Sequence, residues 1–417
     1  MDPALNLFNS MERLNKHISI LFAVFVAVFI GLAAFHCPIE SLDHQEYVFF
    51  RAGQDFMADF FNIERGLADR DPYFNELNGS YLPLGYLLLM PFNPLFDYGH
   101  MALEDCWHSP LAIFYAILFL ILSLFLFFDS LSRLNSKKGW HIYNTFLLLF
   151  TFIFLFSIER GNEIFLAAAG VNYFLAYYDT DDVWKRRFSL FCLCFAAVLK
   201  IYPVLFGILL LRDKRYKDIA FCIITSLILA FVPFLFFKHG LANIPRLWEN
   251  LHTYTDLYHG PTTEYEFGIH MLGNGITYAV NYLHPGTFAD SVVEGVSMTT
   301  KVLTALLSIL SLVLVFLEKR RWMQVGLIAL VIMMYPSHSV FYCGLYLIPM
   351  MVLFLSKEEC TKTDYCIAIL LCLIMNPIQV MVAPISLTAI LANIFSIILW
   401  ILLIVHSTIG ILKKQQA

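Results

Sequence analysis

Residues 37–56 read CPIESLDHQEYVFFRAGQDF, and residues 66–96 read GLADRDPYFNELNGSYLPLGYLLLMPFNPLF. Both stretches belong to one polar segment, residues 37–97, which interrupts an otherwise apolar chain. This segment and the residues directly after it contain no lysine, three arginines and twelve acids, which are Glu40, Asp43, Glu46, Asp55, Asp59, Glu64, Asp69, Asp71, Glu76, Asp97, Glu104 and Asp105. Because the negative charge repels polyanions, the segment suits neutral sugars or basic partners better than nucleic acid.

The polar segment is predicted to contain two short helices at the membrane surface. Across residues 44–61, apolar and aromatic side chains recur every one or two helical turns with polar side chains between them, a pattern typical of an interfacial helix. Residues 81–96 are apolar, but prolines interrupt them and they are too short to span. They are predicted to form a second interfacial or partly inserted helix.

Apolar runs make up most of the remaining chain. With 59% hydrophobic residues, 14% charged residues and a mean hydropathy of +0.70, the 417 residues predict an all-α polytopic membrane protein that forms one domain, residues 1–417. Membrane helices are predicted at residues 18–36, 109–131, 140–158, 163–179, 216–237, 299–317, 322–336, 340–356, 365–383 and 387–411.

Residues 188–211 are predicted as two further short helices that meet at Lys200-Ile201-Tyr202-Pro203. Basic clusters lie on both sides of this run, so a single crossing would place one of them outside, against the tendency of Lys and Arg to stay in the cytoplasm. The total is then twelve membrane helices with both termini in the cytoplasm. The predicted cytoplasmic segments hold 19 of the 27 Lys and Arg residues, the external segments hold seven, and Lys200 lies within the membrane.

Two long external loops, residues 37–108 and 238–298, follow from this orientation. The cytoplasmic loops are too short for a nucleotide-binding domain and the chain has no GxxxxGK[ST] motif, so an ATP-driven pump is disfavoured. No cleavage pattern follows the first apolar run, so residues 18–36 are expected to remain as a helix.

The nine cysteines include no CxxC pair, so no zinc site is expected. Most of them lie in apolar runs, where cysteine usually acts as a small hydrophobic residue. Cys37 and Cys106 both fall in the first external loop. In an oxidising compartment they would form a disulfide; the alternative is two free thiols at helix ends.

Asp43 lies shortly after the first predicted membrane helix, at the bilayer boundary. A carboxylate in this partly desolvated place can accept a proton from a hydroxyl group, as a general base does. The alternative is that Asp43 caps a helix starting at His44, with Glu46 at the spacing of a capping box.

Lys200 and Arg160 are candidates to bind a phosphate. An ammonium group within an apolar run is costly and commonly functional, and a lipid-linked phosphate is the natural partner for Lys200. The alternative is a lysine that extends to the external interface. Arg160 belongs to an external turn, where it would either bind phosphate oxygens or pair with Glu159 or Glu163.

Three residues in later external segments are further candidates. His338, at a helix junction, could donate to a phosphate or a sugar hydroxyl, or make only a structural hydrogen bond. Glu264 and Glu266 would either bind a sugar acceptor or belong to a solvated loop.

The order of these features resembles the GT-C superfamily of polyprenyl-phosphate-sugar-dependent glycosyltransferases, and more narrowly glycosyltransferase family 87, the mannosyltransferase-like group. The resemblance covers nearly the whole chain and rests on short motifs, which are Asp43, Tyr47, Arg70-Asp71-Pro72-Tyr73, Tyr81-Leu82-Pro83, Gly161-Asn162, Leu199 with Lys200 and Pro203, Asn274-Gly275, and Ser337-His338. Leu84 replaces the second proline of the family's Y-P-P element, and Arg160 replaces a glutamine. These two departures affect the expected identity of the donor more than the expected fold.

The resemblance implies a GT-C-type fold and an inverting hexose transfer that uses neither a metal nor a cofactor. Asp43 would deprotonate an acceptor hydroxyl, and Lys200, Arg160 and His338 would stabilise the departing lipid phosphate. The acceptor or the sugar is expected at Glu46, Tyr47, Tyr73, Tyr81, Glu264, Glu266 and Asn274.

The implied partners are a polyprenyl-phosphate sugar donor, a lipid or glycan acceptor and membrane lipids. The implied place of reaction is the external face of a bacterial-type cytoplasmic membrane, or the lumenal face of the endoplasmic reticulum.

Two other classes of protein share these features. A secondary transporter or lipid flippase agrees with twelve helices and a broken helix at Lys200, although transporters hold their sites near the middle of the membrane rather than in an early external loop. A polysaccharide polymerase or ligase shares the topology and the lipid-linked donor. Its catalytic residues would be expected in the later loop, residues 238–298.

Overall fold

A computed structural model describes residues 3–36, 56–93, 97–134, 147–257, 266–336, 339–357, 359–378, 381–382 and 385–415. The α-helices are α1 (Pro3–His36), α2 (Ala58–Gly66), α3 (Pro83–Leu89), α4 (Leu103–His108), α5 (Pro110–Leu134), α6 (Phe152–Arg160), α7 (Ile164–Tyr177), α8 (Val183–Leu199), α9 (Ile208–Arg212), α10 (Tyr216–Phe231), α11 (Asn243–Leu257), α12 (Ile269–Leu283), α13 (Asp290–Leu317), α14 (Arg321–Met334), α15 (Leu347–Leu355), α16 (Lys362–Ile374) and α17 (Leu387–Gln415). The strands are β1 (Glu266–Phe267), β2 (Ser339–Val340), β3 (Met381–Val382) and β4 (Ile385–Ser386).

The described residues confirm a helical membrane protein. Every predicted apolar run overlaps a described helix. Among the described residues, five helical stretches are long and apolar enough to cross a membrane: Met11–Gly31, Pro110–Leu134, Tyr216–Phe236, Asp290–Leu317 and Leu387–Lys413. The number of twelve crossings and the single domain stay predictions.

The chain divides into two compact units. The first unit comprises residues 1–49, 135–155 and 260–417, and its centre is α14, in which every residue from Trp322 to Met334 is buried. Helices α13, α15 and α17 pack against α14. Strand β1 pairs antiparallel with β2, and β3 pairs antiparallel with β4.

Asn393 of α17 holds β1 in place in this first unit. Its side-chain oxygen accepts from the Gly268 amide at 2.8 Å, and its side-chain nitrogen donates to the Glu266 carbonyl at 2.8 Å. These bonds satisfy backbone groups that a two-residue strand cannot pair fully within its sheet.

The second unit comprises residues 50–134 and 156–259, and α7 lies between α5 and α8. Helix α7 is rich in small residues, which let membrane helices approach closely. A Cβ added at Gly170 would lie 2.6 Å from the Cys192 carbonyl oxygen of α8. On the other side of α7, the Asn172 amide donates to the Ser130 hydroxyl of α5 at 3.1 Å.

The predicted break at Lys200 is confirmed. Helix α8 ends at Leu199, Lys200 has an extended backbone, and a 3₁₀ helix begins at Tyr202. Pro203 lies at the start of that 3₁₀ helix. Backbone amides at this position donate to no residue of the helix, so the missing amide hydrogen of proline costs no hydrogen bond.

The predicted helix over residues 44–61 is present at residues 58–61 but does not continue through Met57. Residues 44–55 lie outside the described residues, but Met57 has a left-handed backbone with φ 55°, and α2 begins only at Ala58. The Met57 amide donates to the Glu159 carbonyl, a tertiary bond that replaces helix continuation. The second predicted helix is present as α3, followed by a 3₁₀ turn at Met90–Phe92.

Replacement of Gly79 by alanine should destabilise the second unit. A Cβ at this position would overlap the Tyr86 hydroxyl oxygen and the Pro72 carbonyl oxygen, a backbone atom that accepts from the Gly79 amide. We expect the unfolding free energy to fall by about 2–3 kcal/mol, the cost of overpacking, measured by thermal unfolding in detergent.

Gly295→Ala is the matched control for Gly79→Ala. It lies within α13 with no atom within 4 Å of the added Cβ. Because alanine favours a helix interior by about 1 kcal/mol over glycine, this variant should be neutral or slightly stabilised. Equal midpoints for the two variants would contradict the close packing at Gly79.

Candidate functional site

A turn at residues 160–163, between α6 and α7, contributes much of a polar cluster in the second unit. Gly161 has φ 62°, a left-handed conformation that glycine adopts without strain. A Cβ at Gly161 would lie 2.7 Å from the Met57 sulfur. Glycine therefore lets the residues before α2 lie directly against the turn.

Asp59, in the first turn of α2, binds two side chains of this turn. It accepts from Arg160 Nε at 3.1 Å and from Arg160 Nη2, and it accepts from Asn162 Nδ2 at 2.7 Å. The Asn162 side-chain oxygen accepts from the Ile164 amide at 3.0 Å, so it satisfies a backbone donor at the start of α7 that has no partner within the helix. Arg160 thus has a carboxylate partner from α2, which the sequence did not suggest.

Tyr81 connects the turn to the broken helix. Its hydroxyl oxygen lies 3.3 Å from Asn162 Nδ2, and the centroid of its ring lies 4.3 Å from Lys200 Nζ. The second distance is typical of a cation–π contact. Lys200 is 9% exposed, so its ammonium group lies within the protein beside Tyr81 rather than extended into solvent.

Glu163 is a fully buried carboxylate next to this group. Neither of its carboxylate oxygens has a hydrogen-bond partner among the described residues. A Cβ at Gly85 of α3 would lie 2.9 Å from both oxygens, so only glycine leaves room for them. The ammonium of Lys200 attracts this carboxylate and Asp59 repels it.

The cluster contains two cations held by neighbouring side chains, a buried Lys200 and a partly exposed Arg160. Asp59 and Asn162 hold Arg160, while Tyr81 lies against Lys200. Asp59 and Glu163 balance part of this positive charge, and the two cations would stabilise negative charge that develops next to them during a reaction. The described residues contain no group of three His, Cys, Asp or Glu side chains that could hold a metal ion, and the metal-independent reaction stays a prediction.

Five predicted site residues, Asp43, Glu46, Tyr47, Glu264 and His338, lie outside the described residues, and so does the Cys37 partner of the predicted disulfide. Their roles stay predictions.

Tyr73 and Tyr81 both lie in the second unit. Tyr73 is fully buried, and its hydroxyl donates to the Tyr81 carbonyl at 3.1 Å. It therefore positions the backbone of Tyr81, which contacts Lys200. Binding of sugar by either tyrosine stays a prediction.

Glu266 and Asn274 lie in the first unit. Glu266 is 3% exposed and forms β1, so the solvated loop considered for it is wrong at this residue. Its backbone pairs with Val340 of β2. Asn274 lies in α12, and its role stays a prediction.

Sequence reasoning missed Asp59, Glu163 and Gly85 as members of the cluster. Asp59 and Arg160 are 101 residues apart, and no periodicity connects them. The one available signal was the concentration of polar residues at 159–163 between two apolar runs. It identified the turn but not its partners.

The ion pair between Asp59 and Arg160 should stabilise the second unit. Its side chains are 12% and 25% exposed, so we expect Asp59→Asn or Arg160→Gln to cost about 2 kcal/mol, between the values of exposed and buried pairs. The double variant should cost less than the sum of the single variants, because neither side chain is left as an unpaired charge.

Thermal unfolding of the three variants in detergent tests this coupling. Lys185→Gln, in a pair with Asp182 that is well exposed, serves as a control and should change stability little. Strictly additive costs would show that the two side chains do not stabilise each other.

Comparison with known proteins gives one match to a family. The model of glycosyltransferase family 87 matches residues 80–337. No curated protein and no solved structure matches the chain. The matched residues include Tyr81, the turn at residues 160–163 and Lys200.

Proposed function

Since the chain belongs to glycosyltransferase family 87, we propose that it moves a mannose-like hexose from a polyprenyl-phosphate donor to a hydroxyl group of a lipid- or glycan-linked acceptor. Membership of the family makes the protein a glycosyltransferase, and its long apolar helices make it an integral membrane protein. The lipid-linked donor, the hexose and the mechanism belong to the proposal.

The observation that carries the proposal is the position of Lys200. Its ammonium lies at the break between α8 and the following 3₁₀ helix, on the ring of Tyr81, which also meets the side chain of Asn162. A soluble phosphate ligand would not require a cation at the end of an apolar helix. A phosphate attached to a membrane lipid would require a cation at this place, because its alkyl tail remains in the bilayer.

The proposed reaction is an inverting displacement at the anomeric carbon. Asp43 takes the proton of the acceptor hydroxyl, and the oxygen attacks the anomeric carbon from the side opposite the phosphate. The bond between that carbon and the phosphate oxygen breaks, and its electron pair leaves with the lipid phosphate. Lys200, Arg160 and His338 stabilise the charge that forms on the phosphate.

The reaction is proposed to take place at the external face of the membrane, the periplasmic face of a bacterial-type cytoplasmic membrane or the lumenal face of the endoplasmic reticulum. The distribution of Lys and Arg supports this orientation, with both termini in the cytoplasm.

A transfer assay tests the proposal. The purified protein in nanodiscs is given a membrane glycolipid extract and a radiolabelled hexose, presented either as the polyprenyl phosphate or as the nucleotide sugar. We expect labelled product from the polyprenyl phosphate only, with the anomeric configuration opposite to that of the donor.

Three results would contradict this proposal. Product from the nucleotide sugar alone would exclude a lipid-linked donor, and a product with retained anomeric configuration would exclude a single displacement. Counterflow of substrate in liposomes without a covalent product would instead indicate a transporter.

A further inference from the structure

A cavity of about 540 Å³ lies in the second unit, apart from the cluster around Lys200. Its lining includes Glu64 of α2, Arg70, Asn93 and Tyr98. This volume is within the range of about 300–1,000 Å³ that is usual for small-molecule sites. Leu67 and Met90 add apolar surface to the lining, so the cavity has both polar and apolar walls.

Glu64 is the unusual residue of this cavity. It is 1% exposed, and neither of its carboxylate oxygens has a hydrogen-bond partner among the described residues. A buried polar group without a partner costs stability, so its presence indicates that something else meets it. Burial raises the pKa of Glu64 to about 9. The nearby Asn93 amide lowers this pKa in part, although it makes no hydrogen bond of good geometry to the carboxylate.

The chemistry of the walls excludes two classes of ligand. Asp69 and Asp97 also line the cavity, and these acids outnumber Arg70, the one cation among the described residues of the lining, so phosphates and nucleotides are repelled. Among the described residues, no group of three acids lies close enough together to hold a metal ion.

A neutral polyhydroxy compound fits the remaining requirements. Hydroxyl groups both donate and accept hydrogen bonds, as does a protonated carboxyl such as that of Glu64. The guanidinium of Arg70 supplies further hydrogen-bond donors, and the side-chain amide of Asn93 supplies both donors and an acceptor. The apolar walls suit the C–H faces of a sugar ring.

Helix α2 connects this cavity to the cluster around Lys200. Asp59, which binds Arg160, and Glu64 are five residues apart on α2, so they differ by about 140° around the helix and about 7.5 Å along it. The two sites therefore lie on different sides of one short helix. A molecule with several sugar units could reach both.

We propose that the cavity lined by Glu64, Arg70 and Asn93 binds a neutral sugar ring of the acceptor, at a distance from its reacting hydroxyl group. This assignment rests on the proposed glycosyl transfer in one respect, which is that the bound ring is assigned to the acceptor rather than to the donor. Binding of the sugar itself does not depend on it.

Saturation-transfer NMR on the full chain in nanodiscs tests the binding, with methyl α-D-mannoside and methyl α-D-glucoside as probes. We expect a signal from at least one probe with the natural protein and at least a tenfold weaker signal with Glu64→Leu. Leucine has a similar size and removes a buried group without a partner, so this variant should unfold at a higher temperature. Glu76→Leu, an exposed acid of the same segment, should leave the signal unchanged.

Asn93→Ala is a second variant in case Glu64→Leu does not fold. It should weaken the same probe at least threefold. The absence of a signal with the natural protein would overturn the proposal, and so would equal signals with Glu64→Leu.

The transfer assay separates the acceptor from the donor. Glu64→Leu should raise the KM for the acceptor at least tenfold and leave the KM for the donor unchanged. A rise in the donor KM alone would overturn the assignment to the acceptor. If the natural protein transferred no hexose, the NMR result would still decide whether the cavity binds a sugar.

Discussion

Asp43→Asn should lower the rate of hexose transfer by about 10²–10⁴-fold, the usual contribution of a general base. Asparagine has nearly the same size as aspartate but cannot accept the proton of the acceptor hydroxyl. The KM for the polyprenyl-phosphate donor should change little, because Asp43 acts on the acceptor. The measurement is product formed per minute from the radiolabelled donor at saturating acceptor.

Asp55→Asn is the matched control, since it removes an acid from the same external loop. It should retain most of the activity. Equal rates for the natural enzyme and Asp43→Asn would exclude Asp43 as the base and turn attention to Glu46, Glu264 and Glu266.

Lys200→Met should lower the maximal rate by about 10²–10³-fold, the effect of removing one group that stabilises a developing anion. Methionine keeps the length and the apolar stem of lysine without the charge. The donor KM should rise as well, because the ammonium is proposed to hold the phosphate before it leaves. Lys200→Arg should restore part of the activity, since it returns a cation to the same position.

Lys301→Met is the control for the loss of a lysine. Lys301 lies on α13 and is exposed, so its replacement should leave both constants unchanged. Thermal unfolding of both variants separates chemistry from folding. A Lys200→Met enzyme with normal kinetics would refute the role of this residue in binding phosphate.

The features that could be predicted from the sequence are local ones. A run of apolar residues of sufficient length forms a membrane helix whatever lies elsewhere in the chain, so every predicted run overlaps a described helix. The break at Lys200 was predictable because basic clusters on both sides of residues 188–211 disfavour a single crossing, and Pro203 lies beside the lysine.

The features that could not be predicted depend on distant residues. Met57 leaves the helical conformation because its amide donates to Glu159, and Arg160 pairs with Asp59 across 101 residues. Glu266 lies in a strand because β1 pairs with β2, which is far along the chain. Neither hydrophobic periodicity nor residue spacing contains that information.

The length of α8 has a consequence for the lipids around the protein. Its 17 residues extend about 26 Å, which is less than the roughly 30 Å of hydrocarbon in a typical bilayer. In the proposed orientation, Lys185, Arg186 and Arg187 keep its first turn at the inner headgroups, so Lys200 lies a few ångströms below the outer ones. The bilayer adapts to such hydrophobic mismatch by thinning locally. Short-chain lipids should therefore bring the donor's phosphate to the depth of Lys200 more readily than long-chain lipids do.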